Sequence, residues 1–328
     1  MTDRLDVLAI GNAIVDVISA ASDDFITAQK LRKGAMQLID AAEAERLYGA
    51  MGPAREVSGG SGANAAAGVA ALGGKVAFVG RVADDQLGQV FAHDIRAAGV
   101  EFTTPFATTS NPTARCLILV TPDAQRTMNT FLGASQDLTV ADLDYDRVAK
   151  AGITYLEGYL WDPELPRAAM LKAREVAKAA GNRVAFTLSD VFVVERHRDS
   201  LQALVDGKID ILFANENEIC SLYEVDDFDS AVRAVRGKLP ITVVTRSEKG
   251  AVVLAGDEVI SIPAAPVAKV VDTTGAGDLF AAGFLYGLSQ GRPLDVCAKL
   301  GAIAAAEVIS HYGARPEADL KVLTDGLR

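Results

Sequence analysis

Apolar and polar positions follow two rhythms along most of this chain. Short apolar runs such as "DVLAIG" (Asp6–Gly11), "KVAFVG" (Lys75–Gly80), "ITYLEG", "RVAFTLS", "DILFAN" and "ITVVTR" have the length and β-branched content of buried strands. Each adjoins a longer segment with helical spacing. "ANAAAGVAALGG" predicts a small-residue helix that stops at Gly73-Gly74, and "DDQLGQVFAHDIRAAG" a helix with an acidic start and a glycine stop. Further helices are expected from about Pro163 to Ala180, Phe192 to Val205, Glu216 to Tyr223 and Asp229 to Lys238. Such alternation implies an α/β fold, a central mostly parallel sheet flanked by helices.

Two regions break the rhythm. Val15–Ala20 and Gly34–Asp40 read as short strands. Glu101 to Leu132 reads as three antiparallel strands with turns at Asn111-Pro112 and Pro122-Asp123. No helix is expected to cover these strands, so they predict a small β-sheet lid over the larger body. The expected division places 1–14, 41–100 and 133–328 in the large α/β body and 15–40 and 101–132 in the lid. A chain of 328 residues exceeds the size at which a single core usually stops growing, which suits a body with an appendage.

Composition narrows the function classes. Half the residues are hydrophobic and 23% are charged, which suits a globular enzyme and not a disordered chain. A net charge of −11 argues against nucleic-acid or anionic-membrane partners, which select basic surfaces. Cys116, Cys220 and Cys297 form no Cys-x-x-Cys pair, and His93, His197 and His311 lie far apart, so zinc and dithiol chemistry find no support. Asp3, Asp6 and Asp16 interrupt the first apolar run, which speaks against a signal peptide. No uncharged apolar run reaches the roughly 18 residues of a membrane span. A cytoplasmic location is expected, with a small molecule as the partner and a monomer or homodimer as the assembly.

The stretch "VVDTTGAGDLF", Val270 to Phe280, carries the most chemistry. A strand-like run enters a glycine turn and then a helix, which offers free amides at the positive end of a helix dipole. Gly275 and Gly277 allow an anion to approach the backbone. Phe280, Phe284 and Leu288, four apart, mark the buried face of that helix. Asp278 lies roughly 200° from Phe280 and points away from the core. It can accept a proton from an alcohol that attacks a phosphoryl group, or it can merely complement the dipole.

"DTTGAGDLFAAGFL" resembles the C-terminal signature of the ribokinase-like (PfkB) carbohydrate kinases. "GGSGANAAAGVAALGGKVAFVGRVADDQLG" (Gly59–Gly88) resembles the N-terminal signature of that family, and "NENE" (Asn215–Glu218) its Asn-x-x-Glu motif. The resemblance covers essentially the whole chain and implies a ribokinase-like fold. It makes Asp278 the base that activates the acceptor hydroxyl, and Gly275, Ala276 and Gly277 the anion hole for the transferred group. Asn215 and Glu218 would hold the Mg2+–phosphate assembly through water; a helix N-cap with its capping-box partner is the alternative. Asp272 and Thr274 match positions that contribute to a K+ site, or they stabilise the turn. "TRSEKG" places Thr245, Arg246, Ser247 and Gly250 at the ATP loop, with Ser247 where the usual pattern has glycine; an ordinary hairpin turn is the alternative.

On the acceptor side the resemblance assigns Asp16, with Asn12 beside it, to sugar hydroxyls, since a carboxylate accepts two adjacent alcohol protons. Gly59, Gly60, Ser61 and Asn64 would line the same site, or the glycines form a plain strand-to-helix turn. Arg126 would face the phosphates or be a solvated strand arginine. "GNAIVD", "LRKGAMQLID" and "CAKLGAIAAAEVISHYGARP" look closer to the adenosine kinase branch than to fructokinases. Met36, Leu38 and Tyr159 would then border a purine, or belong to the core. The resemblance implies an ATP- and Mg2+-dependent phosphotransferase acting on the 5′-hydroxyl of a purine nucleoside, adenosine first. A kinase of ribose, fructose or a keto-sugar acid is the near alternative, and a non-catalytic metabolite-binding protein the distant one. No P-loop, no protein-kinase His-Arg-Asp or Asp-Phe-Gly set, and no Gly-x-Gly-x-x-Gly after the first strand occurs.

Overall fold

The computed structural model describes residues 4–108, 111–123 and 125–327. Eight strands form one sheet in the order β13-β12-β11-β10-β9-β8-β1-β5. β1 (Leu5–Ile10), β5 (Val76–Val79), β8 (Ala151–Glu157), β9 (Arg183–Thr187), β10 (Ile211–Asn215) and β11 (Ile241–Thr245) run parallel. β12 (Ala251–Ala255) and β13 (Glu258–Ile262) continue it as an antiparallel edge. The apolar runs are continuous because both faces are covered. Along β1, Val7 and Ala9 pack on one side with the helices Ser61–Ala71, Ala276–Ser289 and Leu294–Val308. Leu8 and Ile10 point to the other side, toward Met170, Val193, Leu201 and Ile219 of the opposite helical layer. This is the expected α/β architecture.

A second sheet of five strands has the order β3-β7-β6-β2-β4. It contains β2 (Ile14–Ala20), β3 (Met36–Leu38), β4 (Ala54–Gly59), β6 (Ala114–Val120) and β7 (Arg126–Phe131). Three features depart from the sequence pattern. β4 joins this sheet beside β2, although residues 41–100 were expected in the large body. Glu101 to Leu132 yields two strands, not three. Before β6, the chain makes only isolated bridges, Ala77↔Glu101 and Ala83↔Ala107, and buries Phe102 against Phe78 and Phe91. Pro105 and Pro112 supply no amide there, so a third ladder strand is unfavourable. The helix Ala41–Ala50 also packs on β6 and β7, so the sheet is not bare. The Pro122-Asp123 turn does link β6 to β7, closed by Thr121 N donating to Gln125 O at 3.0 Å.

No helix among the described residues is long and apolar enough to cross a membrane.

Candidate active site

Asn12 just after β1, Glu157 ending β8, Thr187 ending β9, Asn215 ending β10 and Thr245 ending β11 all face one cleft of about 470 Å³. This is where an open parallel sheet presents ligands. The small sheet supplies the facing wall through Met36, Leu38, Cys116 and Met128.

At its floor the helix Ala276–Ser289 begins. Gly275 takes the left-handed conformation (φ 80°, ψ −1°), and no side chain caps the helix. The Ala276 amide closes the turn on Thr273 O at 3.2 Å, and the next amides, from Gly277 and Asp278, are left for a ligand. Ala276, Gly277 and Asp278 line the cleft with Gly275. Asp278 is held from across the cleft: Ser61 Oγ donates to Oδ1 at 2.6 Å and Asn64 Nδ2 to Oδ2 at 3.0 Å. The two glycine-rich signatures, remote in sequence, thus meet at one carboxylate. Burial raises the Asp278 pKa, opposed by those two hydrogen bonds and by the charge of Arg315.

Asp16 stands on β2 beside Gly59, where a Cβ would come within 2.5 Å of Asp16 Oδ2. Among the described residues no group donates a hydrogen bond to the Asp16 carboxylate, so its oxygens are free for a ligand. Burial pushes its pKa up to about 6, against the pull of Arg315 and Arg126. Gly60, with φ 96°, caps the helix Ser61–Ala71 and lines the cleft with Ser61 and Asn64. Asn64 Oδ1 is buried without a partner.

Glu157 is the residue the sequence pattern missed. Its carboxylate receives Asn12 Nδ2 at 2.6 Å, Asn12 N at 3.1 Å and Gly62 N at 2.7 Å. It thereby fixes the loop after β1 to the helix Ser61–Ala71. Asn12 is also engaged through Oδ1, which receives Ser135 Oγ at 2.9 Å. The signal lay in "ITYLEG": an acid that closes an otherwise apolar parallel strand sits at the ligand-bearing end of the sheet. Burial raises Glu157 to about 7.

On the nucleotide side, Asn215 and Glu218 form the capping box that stood as their alternative reading. Asn215 Oδ1 receives Glu218 N at 2.8 Å, and Glu218 Oε2 receives Asn215 N at 2.9 Å. Both also line the cleft, so capping and ligand contact are compatible. Burial lifts Glu218 to about 7. Thr245 lines the cleft, but Arg246, Ser247 and Gly250 do not. Arg246 is bidentate to Glu216 at 2.9 and 3.2 Å and lies over the Phe228 ring. Ser247 adopts φ 51° where the family pattern has glycine.

Arg126 does not reach the cleft. Its Nη1 pairs with Asp272 Oδ2 at 2.7 Å and donates to Thr274 Oγ1 at 3.2 Å. Asp272 Oδ1 receives Thr274 N and Oγ1 at 3.1 and 2.8 Å, and Oδ2 receives Gly313 N at 3.0 Å. Both Asp272 oxygens are thus engaged in bracing the turn, the alternative reading for Asp272 and Thr274. Met36, Leu38 and Tyr159 do line the cleft, joined by Met128, Leu132 and Phe192. Tyr159 and Phe192 approach to 5.9 Å between ring centroids.

The sequence matches the pfkB family of carbohydrate kinases over residues 7–320. The chain belongs to the pfkB family. This pfkB kinase is therefore a phosphotransferase that acts on a hydroxyl group of a carbohydrate or nucleoside. It is 50% identical to a probable sugar kinase protein from Rhizobium etli, with a TM-score of 0.93 and 100% of each chain covered. It is 49% identical to the adenosine kinase from Sinorhizobium meliloti, with a TM-score of 0.92 over 99% of this chain and 100% of that one. The adenosine kinase of Saccharomyces cerevisiae is 26% identical over 330 residues, 93% of this chain and 95% of that protein. Kinases of this family use ATP with Mg2+.

The raised carboxyl groups make stability depend on pH. An unfolded Asp or Glu loses its proton near pH 4. Folded Asp16 holds it to about 6, and Glu157 and Glu218 to about 7. Between these values the folded state binds more protons, so these groups stabilise the fold in mild acid and lose that contribution as pH rises through 6 to 7. The ligand-free protein is expected to melt a few degrees higher at pH 6 than at pH 8. A melting temperature that is flat or falls toward pH 6 would contradict these burial effects.

Proposed function

We propose that this kinase transfers the γ-phosphoryl group of ATP to the 5′-hydroxyl of a purine nucleoside, adenosine first. The observation that carries the reading is the pairing, within one cleft, of the unpartnered Asp16 carboxylate with an apolar wall of Met36, Leu38, Met128, Leu132, Tyr159 and Phe192. A nucleoside has that duality: a polar ribose whose vicinal hydroxyls suit a carboxylate, and a flat base that suits apolar and aromatic surface. A free sugar is polar on every side and would leave the wall unused. The similarity to the Sinorhizobium meliloti adenosine kinase supports the same reading.

In this reading Asp16 binds the ribose diol, and Ser61 and Asn64 hold Asp278 toward the 5′-oxygen. Asp278 takes the hydroxyl proton as that oxygen bonds to the γ-phosphorus, and the bond from the γ-phosphorus to the bridging oxygen breaks to release ADP. The amides of Gly275 and Gly277 stabilise charge on the phosphoryl oxygens in flight, while the Ala276 amide, bonded to Thr273 O at 3.2 Å, holds the turn that presents them. The open space before Gly277, where a Cβ would meet nothing within 4 Å, fits such a group. Mg2+ supplies charge neutralisation to the nucleotide phosphates. Asn215 and Glu218, which line the cleft while bonded to each other through both Glu218 oxygens, are the residues that would hold its water shell.

An acceptor panel with ATP and Mg2+ tests this. Adenosine is expected to exceed ribose, fructose and keto-sugar acids in kcat/KM by about 10²-fold or more, because binding energy from the base is available only to the nucleoside. Faster turnover of a free sugar than of adenosine would reject the nucleoside assignment in favour of a sugar kinase, the description carried by the Rhizobium etli relative.

A further inference from the structure

The segment after the helix Leu294–Val308 passes beneath both halves of the cleft. Gly313 N donates to Asp272, and Ala314 lies so close to the phosphate turn that a Cβ on Gly275 would stand 2.7 Å from its Cβ. The next residue, Arg315, reaches the acceptor turn. Its Nε and Nη2 donate to Ser58 O at 3.1 and 3.0 Å, Nη2 donates also to Ser58 Oγ at 3.0 Å, and Nη1 donates to Ala63 O. Ser58 lies one residue before the end of β4, paired with Val15, and Ala63 lies in the first turn of the helix that carries Ser61 and Asn64.

Every one of these acceptors is neutral. Among the described residues Arg315 has no carboxylate within salt-bridge distance, so its charge is not spent on a direct partner. The acids that feel it are Asp94, Asp16 and Asp278. Asp94 is itself tied down by Ser58 N at 2.8 Å. A guanidinium stays charged throughout the working range even where burial lowers it to about 10, as here.

We propose that Arg315 is a positioning residue that pins the acceptor turn and sets a fixed positive charge behind the two cleft carboxylates, Asp16 and Asp278. This rests on the reading of Asp278 as base and Asp16 as acceptor ligand. Around Asp16, Arg315 and Arg126 favour the ionised form, and burial, Asp278 and Asp272 oppose it. Around Asp278, Ser61, Asn64 and Arg315 favour ionisation and burial opposes it. Arg315 is the cation common to both. Without it, both carboxylates keep their protons to higher pH, and a protonated Asp278 cannot accept one from the substrate.

The test is the pH profile of kcat/KM for adenosine in the wild type, Arg315→Met, Arg315→Gln and Arg315→Lys, with melting temperatures alongside. The acid limb is expected to move up by about one pH unit in the neutral variants and to return toward the wild-type position in Arg315→Lys. A role limited to packing would lower the plateau and leave the limb in place. An unmoved limb in a folded Met or Gln variant overturns the proposal. Arg315→Gln retains a donor for Ser58 O and provides the neutral comparison if the Met variant does not fold. Asp278→Asn separates the two readings. Full activity in that variant removes the base assignment itself, whereas an inactive Asp278→Asn beside an unmoved limb in Arg315→Gln removes only the role of Arg315.

Discussion

Replacing Asp278 with Asn is expected to cut kcat by roughly 10²–10⁴-fold while acceptor affinity changes by no more than a few-fold. The site geometry makes this substitution a clean one. An asparagine amide at 278 keeps an oxygen for Ser61 Oγ, now the donor to Oδ1 at 2.6 Å. Its new NH2 would confront Asn64 Nδ2, but Asn64 Oδ1 lacks a partner, so a flip of the Asn64 amide restores the bond. The fold and the acceptor turn should survive, and only the ability to take a proton is lost. Asp16, the group that binds the acceptor in this reading, is untouched. Single-turnover rates and calorimetric binding of adenosine would measure the two quantities separately. Unchanged turnover would refute the role of Asp278. A wild type that binds adenosine without phosphorylating it would support the metabolite-binding alternative.

The parts of the fold that local sequence specifies were legible. Apolar runs bounded by glycine and acidic helix starts located the parallel strands, because both faces of that sheet are buried and each strand is a continuous apolar string. The glycine signatures were legible for a related reason: a left-handed Gly275 and an uncapped helix start leave little choice of residue. What escaped was long-range. The polar run Ala54–Gly59 is half exposed and looks like a linker until β2 pairs with it. Glu157 acquires its meaning only when Asn12 and Gly62 close on it. For Arg126 the family resemblance suggested the phosphates and the strand pattern a solvated side chain; Asp272 captures the guanidinium in a buried pair instead, a partner remote in sequence that no local pattern shows. Arg246 is diverted in the same way by Glu216. Charged side chains are long, and an opposite charge within reach decides where the charged tip ends.

Two single-methyl changes in the phosphate turn should separate folding from function. Gly275→Ala forces a left-handed backbone on a residue with a Cβ, a penalty of about 1–2 kcal/mol, and brings that Cβ to 2.7 Å from the Cβ of Ala314 and 2.9 Å from its Cα. Ala314 belongs to the same segment as Gly313, which is tied to Asp272, so the strain cannot be relieved without moving the turn. The variant is expected to melt several degrees lower and to lose roughly 10²-fold or more in kcat/KM, since a misplaced set of oxyanion donors costs about that much. Gly277→Ala differs in kind. Gly277 has ordinary helical geometry and a Cβ there would meet no protein atom within 4 Å. Its added methyl should leave the melting temperature unchanged and still slow turnover, because the space it enters is the space proposed for the migrating phosphoryl group. A Gly277→Ala enzyme with full activity would mean that the helix tip does not hold that group, whatever Asp278 does beside it. A loss of activity with an intact melt would tie catalysis to the open volume before the first turn of the helix, since stability is then ruled out as the cause.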